Sequence, residues 1–296
     1  MSLLHGVYPV VATPFMDSGE LDLDGAAALG RWLARAGVDG IVCNGNASEA
    51  TAMTIAERKQ VAEQLRETVP GLPLVVGVST TGFADSLDLA RHAASIGAAA
   101  TMSVPPFPMP LGDPEVEAYY LEVARGSGIP LVIQDTTPPV GRPLGVHLIG
   151  QIAQAEPLLL YVKEEAFDSA HKLGSLTEST TLTAVGGEGG RHHFNQGRRG
   201  ASGIMPASSL PEAYAALWLA GDGERARDIY AALLPLVVMS DSLGPRLHKE
   251  ILVRRGVIAS PAVRVGSWPR LDSGDRAEIE IWLGRLDALV PPVAVH

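Results

Sequence analysis

Cysteine is almost absent from this chain, lysine is scarce, and no stretch is strongly basic or long and apolar. A single Cys43 among 296 residues forbids an internal disulfide and a thiolate metal cluster, and it suits a reducing cytoplasm. A formal charge of -10 without a basic stripe argues against nucleic acid or an anionic membrane as partner. The apolar run from Ala231 to Met239 is too short to span a bilayer. The opening MSLLHGVYPVV lacks the basic segment, apolar core and cleavage site of a secretory leader, so a cytoplasmic location is expected.

What remains is apolar sequence in regular alternation. Apolar residues make up 46% of the chain, enough to fill one large core. Short β-branched runs are read as strands at 6–13, 40–43, 74–78, 99–104, 129–133, 158–162, 182–185 and 201–204. Helical patterns separate them, among them 22–36 with Leu29, Trp32 and Leu33 on one face, and 54–69 with a capping box from Thr54 and Glu57. Eight strands, each followed by a helical segment, predict a (β/α)8 TIM barrel over 1–221. The purely helical remainder, 222–296, reads as an extension packed on the barrel, with a loosely held tail, VPPVAVH.

Lysine scarcity makes the position of one lysine informative. Only Lys59, Lys163, Lys172 and Lys249 stand among the 23 lysines and arginines, and Lys163 follows the apolar run Leu158 to Val162 without a turn. An ammonium buried there without a partner costs several kcal/mol, and a lowered pKa that frees the amine for attack on a carbonyl is the usual escape. An ion-paired structural lysine is the alternative.

In a barrel the reacting groups gather at the C-terminal ends of the strands. Thr13, the Asn44–Glu49 stretch, Gln134 to Thr137 and Gly186 to Gly190 are expected on that face with Lys163. In GNASEA, Asn46 and Ser48 with nearby backbone amides can bind a carboxylate, and the same stretch also reads as a capping turn. Glu49 is expected to orient that loop or to pair with another residue. Gly187 and its neighbours permit close backbone approach to a ligand, and Glu188 reads either as a contact to substrate hydroxyls or as a solvated carboxylate. His192 and His193 are adjacent and so point apart, and no spacing assembles a metal site. No metal or cofactor is expected. Cys43 reads as a small buried hydrophobe.

The landmarks ATPF at 12–15, GIVCNGNASEA at 40–50, VPP at 104–106, YVKEE at 161–165 and RRGASGIMP at 198–206 occur in the order and spacing of a known family. The chain resembles the dihydrodipicolinate synthase and N-acetylneuraminate lyase family along nearly its full length. That resemblance implies a (β/α)8 barrel with C-terminal helices, a homotetramer built as a dimer of dimers, and a Schiff base between Lys163 and a 2-keto acid such as pyruvate. It places the substrate carboxylate at Asn46, Ala47 and Ser48, where the family usually carries two threonines and a glycine.

The family's proton-shuttling tyrosine after strand five is replaced by Gln134, followed by Asp135. An amide does not titrate, so the relay must be rebuilt, with Asp135, Glu188 or a water as candidates. The synthase arginine aligns near Pro139, and its aromatic pair becomes Phe107 and Pro108, which argues against the synthase itself. QDTTPP with GGEGG is most similar to the branch of 2-keto-3-deoxy sugar-acid dehydratases, in particular those acting on 2-keto-3-deoxy-L-arabonate. The resemblance implies a hydro-lyase with Lys163, Gln134 and Asp135 at the reacting centre, and Thr13, Asn46, Ala47, Ser48, Gly187, Glu188 and Met205 around the substrate. A pyruvate-forming aldolase and a non-catalytic 2-keto-acid binding protein are the alternatives.

Overall fold

The computed structural model describes residues 4–107, 110–264, 266 and 268–295; Pro108 and His296 lie outside the described residues. Eight strands form one sheet in the order β1-β8-β7-β6-β5-β4-β3-β2. They are β1 (Gly6–Val7), β2 (Ile41–Cys43), β3 (Leu74–Gly77), β4 (Ala100–Ser103), β5 (Leu131–Asp135), β6 (Leu159–Glu164), β7 (Thr183–Gly186) and β8 (Gly203–Ile204). Between them run α1 (Leu23–Arg35), α2 (Ile55–Thr68), α3 (Phe83–Ser95), α4 (Asp113–Ser127), α5 (Val146–Ala155), α6 (Ser169–Ser179) and the short α7 (His193–Gly197). Then α8 (Pro211–Ala220), α9 (Glu224–Leu243), α10 (Pro245–Arg254) and α11 (Ser273–Leu289) follow β8. This is the α/β architecture of the (β/α)8 barrel with a C-terminal helical extension. Among the described residues, no helix is long and apolar enough to cross a membrane.

The chain sorts into two compact units. In the unit of Met1–His5 and Pro73–Met205, strands β3 to β8 pair in parallel, each with the next. Val75, Met102, Val132, Ile133, Val162 and Val185 are buried along them. Parallel strands buried on both faces read as near-continuous apolar runs, which is why these segments were legible from composition. The β5–β6 ladder contains a register shift: Leu131 pairs with Leu159, but Val132 pairs with Tyr161. Leu160 is the extra residue of this bulge. Beyond it Gln134 is opposite Lys163, and Asp135 is opposite Glu164.

In the unit of Gly6–Leu72 and Pro206–His296, Val10 bridges in parallel to both Val42 and Ala207. The expected long first strand shrinks to two residues plus this bridge, because Pro9 supplies no N–H for a ladder. The capping box of α2 forms as expected, with Thr54 Oγ1 accepting from Glu57 N at 3.2 Å and Glu57 Oε2 accepting from Thr54 N at 2.9 Å. Helix α9 packs against α8, α10 and α11, burying Ile229, Leu233, Leu236, Ile251, Ile279 and Leu286. The tail is tied down rather than loose, since Val293 O accepts from Trp32 Nε1 at 3.1 Å and Val295 O from Arg35 Nη2 at 2.5 Å.

Candidate active site

Strand β6 runs two residues further than its apolar pattern, so Lys163 and Glu164 belong to it. Side chains alternate along a strand, and Lys163 and Glu165 therefore lie to one side while Glu164 faces the other. Lys163 is 5% exposed, and its Nζ stands 2.9 Å from Glu165 Oε2. Gln134, opposite Lys163 in the ladder, donates from Nε2 to Glu165 Oε1 at 2.5 Å. Glu188 N adds a long bond to Glu165 Oε2 at 3.4 Å, and Glu165 N donates to Asp135 O at 2.9 Å. Every group on this carboxylate is a donor. Gly187 makes room for it: a Cβ there would stand 2.3 Å from Glu165 Oε2.

Glu165 is the residue that the sequence reading missed. Its signal was present in YVKEE, where period-two alternation joins Lys163 to Glu165, but ending the strand at Val162 hid it.

Asp135 is placed elsewhere. Because β5 extends through it, Asp135 faces away from Gln134. Its Oδ1 accepts from Leu144 N at 2.8 Å and its Oδ2 from the Lys172 ammonium. The cross-strand neighbour Glu164 accepts from Ala166 N at 2.9 Å. Burial, then the negative charge of Asp135, push the Glu164 carboxyl up to about 9, so Glu164 is protonated at neutral pH. The structure brings Lys163, Gln134 and Glu165 together, and it assigns Asp135 to a separate cluster with Glu164 and Lys172.

The glycine loop presents Glu188, Gly189 and Gly190 at φ 52°, 65° and 76°, a left-handed run that glycine makes accessible. Glu188 Oε2 accepts from Ser169 Oγ at 2.8 Å and lies 3.6 Å from His192 Nε2. Ser169 in turn accepts from Gln196 Nε2 at 3.3 Å, so Glu188 is aimed from behind. Met205 is buried and its N–H is spent on Gly186 O at 2.9 Å.

In the other unit, Asn46–Ser48 form a single 3-10 turn after β2. Ser48 donates its hydroxyl to Val11 O at 2.5 Å and accepts from Gly45 N at 3.2 Å. Its proton is thus committed to the fold, and the donors left to the turn are the side-chain amide of exposed Asn46 and the backbone amides of Asn46 and Ala47, which as its first N–H groups have no acceptor within it. Thr13 is fully buried, with its Oγ1 lacking a hydrogen-bond partner among the described residues. Cys43 is buried as expected, and burial pushes its thiol up to about 12. Among the described residues no group of three or more His, Cys, Asp or Glu side chains is placed to hold a metal.

Eight parallel strands alternating with helices, a helical extension and a buried strand-end lysine beside a carboxylate define an α/β protein of the (β/α)8 lyase type. The chain belongs to the dihydrodipicolinate synthetase family, whose model matches residues 3–270. It is 30% identical over 298 residues to L-2-keto-3-deoxyarabonate dehydratase of Azospirillum brasilense, covering 97% of this chain and 96% of that one. Among solved structures it resembles YagE of Escherichia coli K12, a prophage protein of the dihydrodipicolinic acid synthase family in complex with pyruvate. The TM-score is 0.88 and the identity 26%, covering 97% and 99% of the two chains. Dihydrodipicolinate synthase from Rhodopseudomonas palustris gives a TM-score of 0.88 at 27% identity, covering 96% and 98%. Membership places the chain among the Schiff-base-forming 2-keto-acid lyases and aldolases.

Proposed function

We propose that the protein is a dehydratase of a 2-keto-3-deoxy sugar acid, of the 2-keto-3-deoxy-L-arabonate kind, in which Lys163 forms the imine and Glu165 moves the protons. The observation that carries this reading is the Lys163–Glu165 contact of 2.9 Å, with Gln134 holding the far oxygen of the same carboxylate. Gln134 takes the position of the family's tyrosine, and Glu165 supplies the titratable group that an amide lacks.

Glu165 first takes a proton from the Lys163 ammonium. The amine adds to the C2 carbonyl, and the carbinolamine hydroxyl leaves as water with the proton that Glu165 returns. The resulting iminium withdraws electrons from C3. Glu165, again a carboxylate, takes a C3 proton to give the enamine, which expels the C4 hydroxyl. The proton goes from Glu165 to that leaving oxygen, so a second water departs, and hydrolysis of the conjugated iminium releases product and lysine. The backbone amides of Asn46 and Ala47 are assigned to the substrate carboxylate, with Thr13 and Ser48 shaping that turn's surroundings. Glu188 is assigned to a distal hydroxyl, and Gly187 to the clearance that Glu165 needs.

The 26% identity over 298 residues to YagE of Escherichia coli K12, named a putative 2-dehydro-3-deoxy-D-gluconate aldolase, favours a second reading, an aldolase that cleaves C3–C4 through the same imine. Borohydride reduction with pyruvate and with 2-keto-3-deoxy acids, followed by peptide mapping, tests the imine: the adduct is expected on Lys163 and absent in Lys163→Ala. Equal trapping in that variant removes Lys163 from the mechanism. Product analysis then separates loss of water from release of pyruvate.

A further inference from the structure

In the unit of Gly6–Leu72 and Pro206–His296, a second lysine is buried more completely than Lys163. Lys249 and Glu49 have fully buried side chains, and Lys249 Nζ is 2.6 Å from Glu49 Oε1. The ammonium also donates to Ala262 O at 2.7 Å. The other oxygen of Glu49 accepts from Arg264 N at 2.8 Å. Arg264 is itself locked, with its guanidinium forked onto Glu57 at 2.7 and 2.9 Å and its Nε donating to Gly19 O at 2.7 Å. The Phe15 ring carries both cations, each 4.2 Å from its centroid.

Glu49 sits at φ 56°, ψ 37°, between the 3-10 turns Asn46–Ser48 and Ala50–Ala52. A left-handed conformation strains a non-glycine residue, and glycine would adopt it without that strain. The carboxylate is therefore what this position uses. From the same residue, Glu49 N donates to Asn46 O at 3.1 Å and closes the turn whose first amides are Asn46 and Ala47. A buried ion pair is a weak stabiliser, since an apolar pair of similar volume often serves as well. Its distinctive property is fixed geometry, and here that geometry is handed to the turn.

We propose that Lys249 is a positioning residue for 2-keto-acid binding, acting through Glu49 to hold the Asn46–Ser48 turn in its carboxylate-binding shape. This rests on the assignment of that turn to the substrate carboxylate. Burial pulls the Lys249 ammonium down to about 8, opposed by Glu49 and helped by the charges of Arg264 and Arg246. The neighbouring His248 is neutral, held down at about 4 by burial, and Glu57 offsets Arg264. Lys249 thus loses its charge as pH rises through about 8, and the turn loses its brace in the same range.

The test is the pyruvate concentration that half-saturates borohydride trapping at Lys163, read beside KM and kcat in the full chain. Lys249→Met is expected to raise half-saturation and KM tenfold or more, with kcat within threefold and trapping at saturation intact. Lys249→Arg is expected to restore part of the affinity and to remove the wild-type rise in half-saturation above pH 8. If Lys249→Met fails to fold, Glu49→Gln, which keeps one acceptor oxygen and removes the charge, must show the same split. Unchanged half-saturation in a folded variant overturns the positioning role, as does a loss of kcat at unchanged KM. A wild type that traps no 2-keto acid instead overturns the assignment of Lys163, a separate outcome.

Discussion

Gln134 and Lys163 are partners across β5 and β6, and their side chains converge on the two oxygens of one carboxylate, that of Glu165. An amide and an ammonium divide the carboxylate between them: one holds one oxygen, and the other is its proton partner in the proposed mechanism.

Glu165→Gln should therefore leave carbon–nitrogen bond formation measurable and slow the proton transfers that follow it. A fall in kcat of about 100-fold or more is expected for loss of a general acid–base. Solvent deuterium exchange at C3 of bound pyruvate should fall with it. Exchange at the wild-type rate would move the proton relay to another group.

Lys163→Ala strands Glu165 without its cation. Breaking a buried pair from one side costs about 3–5 kcal/mol, so a lower Tm is expected together with the lost adduct. In Lys163→Ala combined with Glu165→Gln, much of that Tm should return. A double variant no more stable than Lys163→Ala would show that the unpaired charge is not the cause.

Gly187→Ala would place a methyl 2.3 Å from Glu165 Oε2 and 2.7 Å from its Cβ. Displacement of the carboxylate should lower kcat at least tenfold, since misplacement of about 1 Å in a reacting group costs up to about 100-fold. Gly284→Ala, in α11 with nothing within 4 Å of the new methyl, should instead add about 0.5–1 kcal/mol of stability and leave kinetics alone. Equal kinetics in both variants would remove the steric argument.

Glu164 provides a pH signature on the other face of the strand. Its folded pKa of about 9 lies above the ordinary carboxyl value of 4.5, so between those pH values the folded chain holds a proton that the unfolded chain has released. Its contribution to stability is fully present below about 4.5 and is lost as pH rises through about 9. Glu164→Gln, a neutral isostere, should flatten this decline, with a Tm gain over wild type that grows from pH 5 to 9. A parallel pair of Tm curves would show that Glu164 is ionised throughout.

The alternation of strands and helices was legible because parallel strands covered on both faces are nearly uniform in apolarity, and Lys163 stood out against that background. The strand ends were harder to see. Polar residues at the ends of β5 and β6 look like loop, so Gln134 and Asp135 read as one polar pair when the pleat separates them, and Glu165, one residue past the end of β6, is passed over beside the lysine it contacts. The Ser48 hydroxyl reads as a donor for a ligand until its bond to Val11 O is seen. Lys249 and Glu49 lie 200 residues apart, a distance over which no periodicity carries information.

The extra residue at Leu160 acts as a reading frame for the chemistry. Were β6 to pair continuously from Leu159 onward, Lys163 would come opposite Asp135, and the amine would be turned toward the helix layer. A single skipped partner upstream keeps it in phase with Gln134. Any attempt to transplant the Lys-x-Glu arrangement onto another barrel strand must therefore carry the skip with it, because two correct side chains in the wrong phase would face opposite sides of the wall from their glutamine.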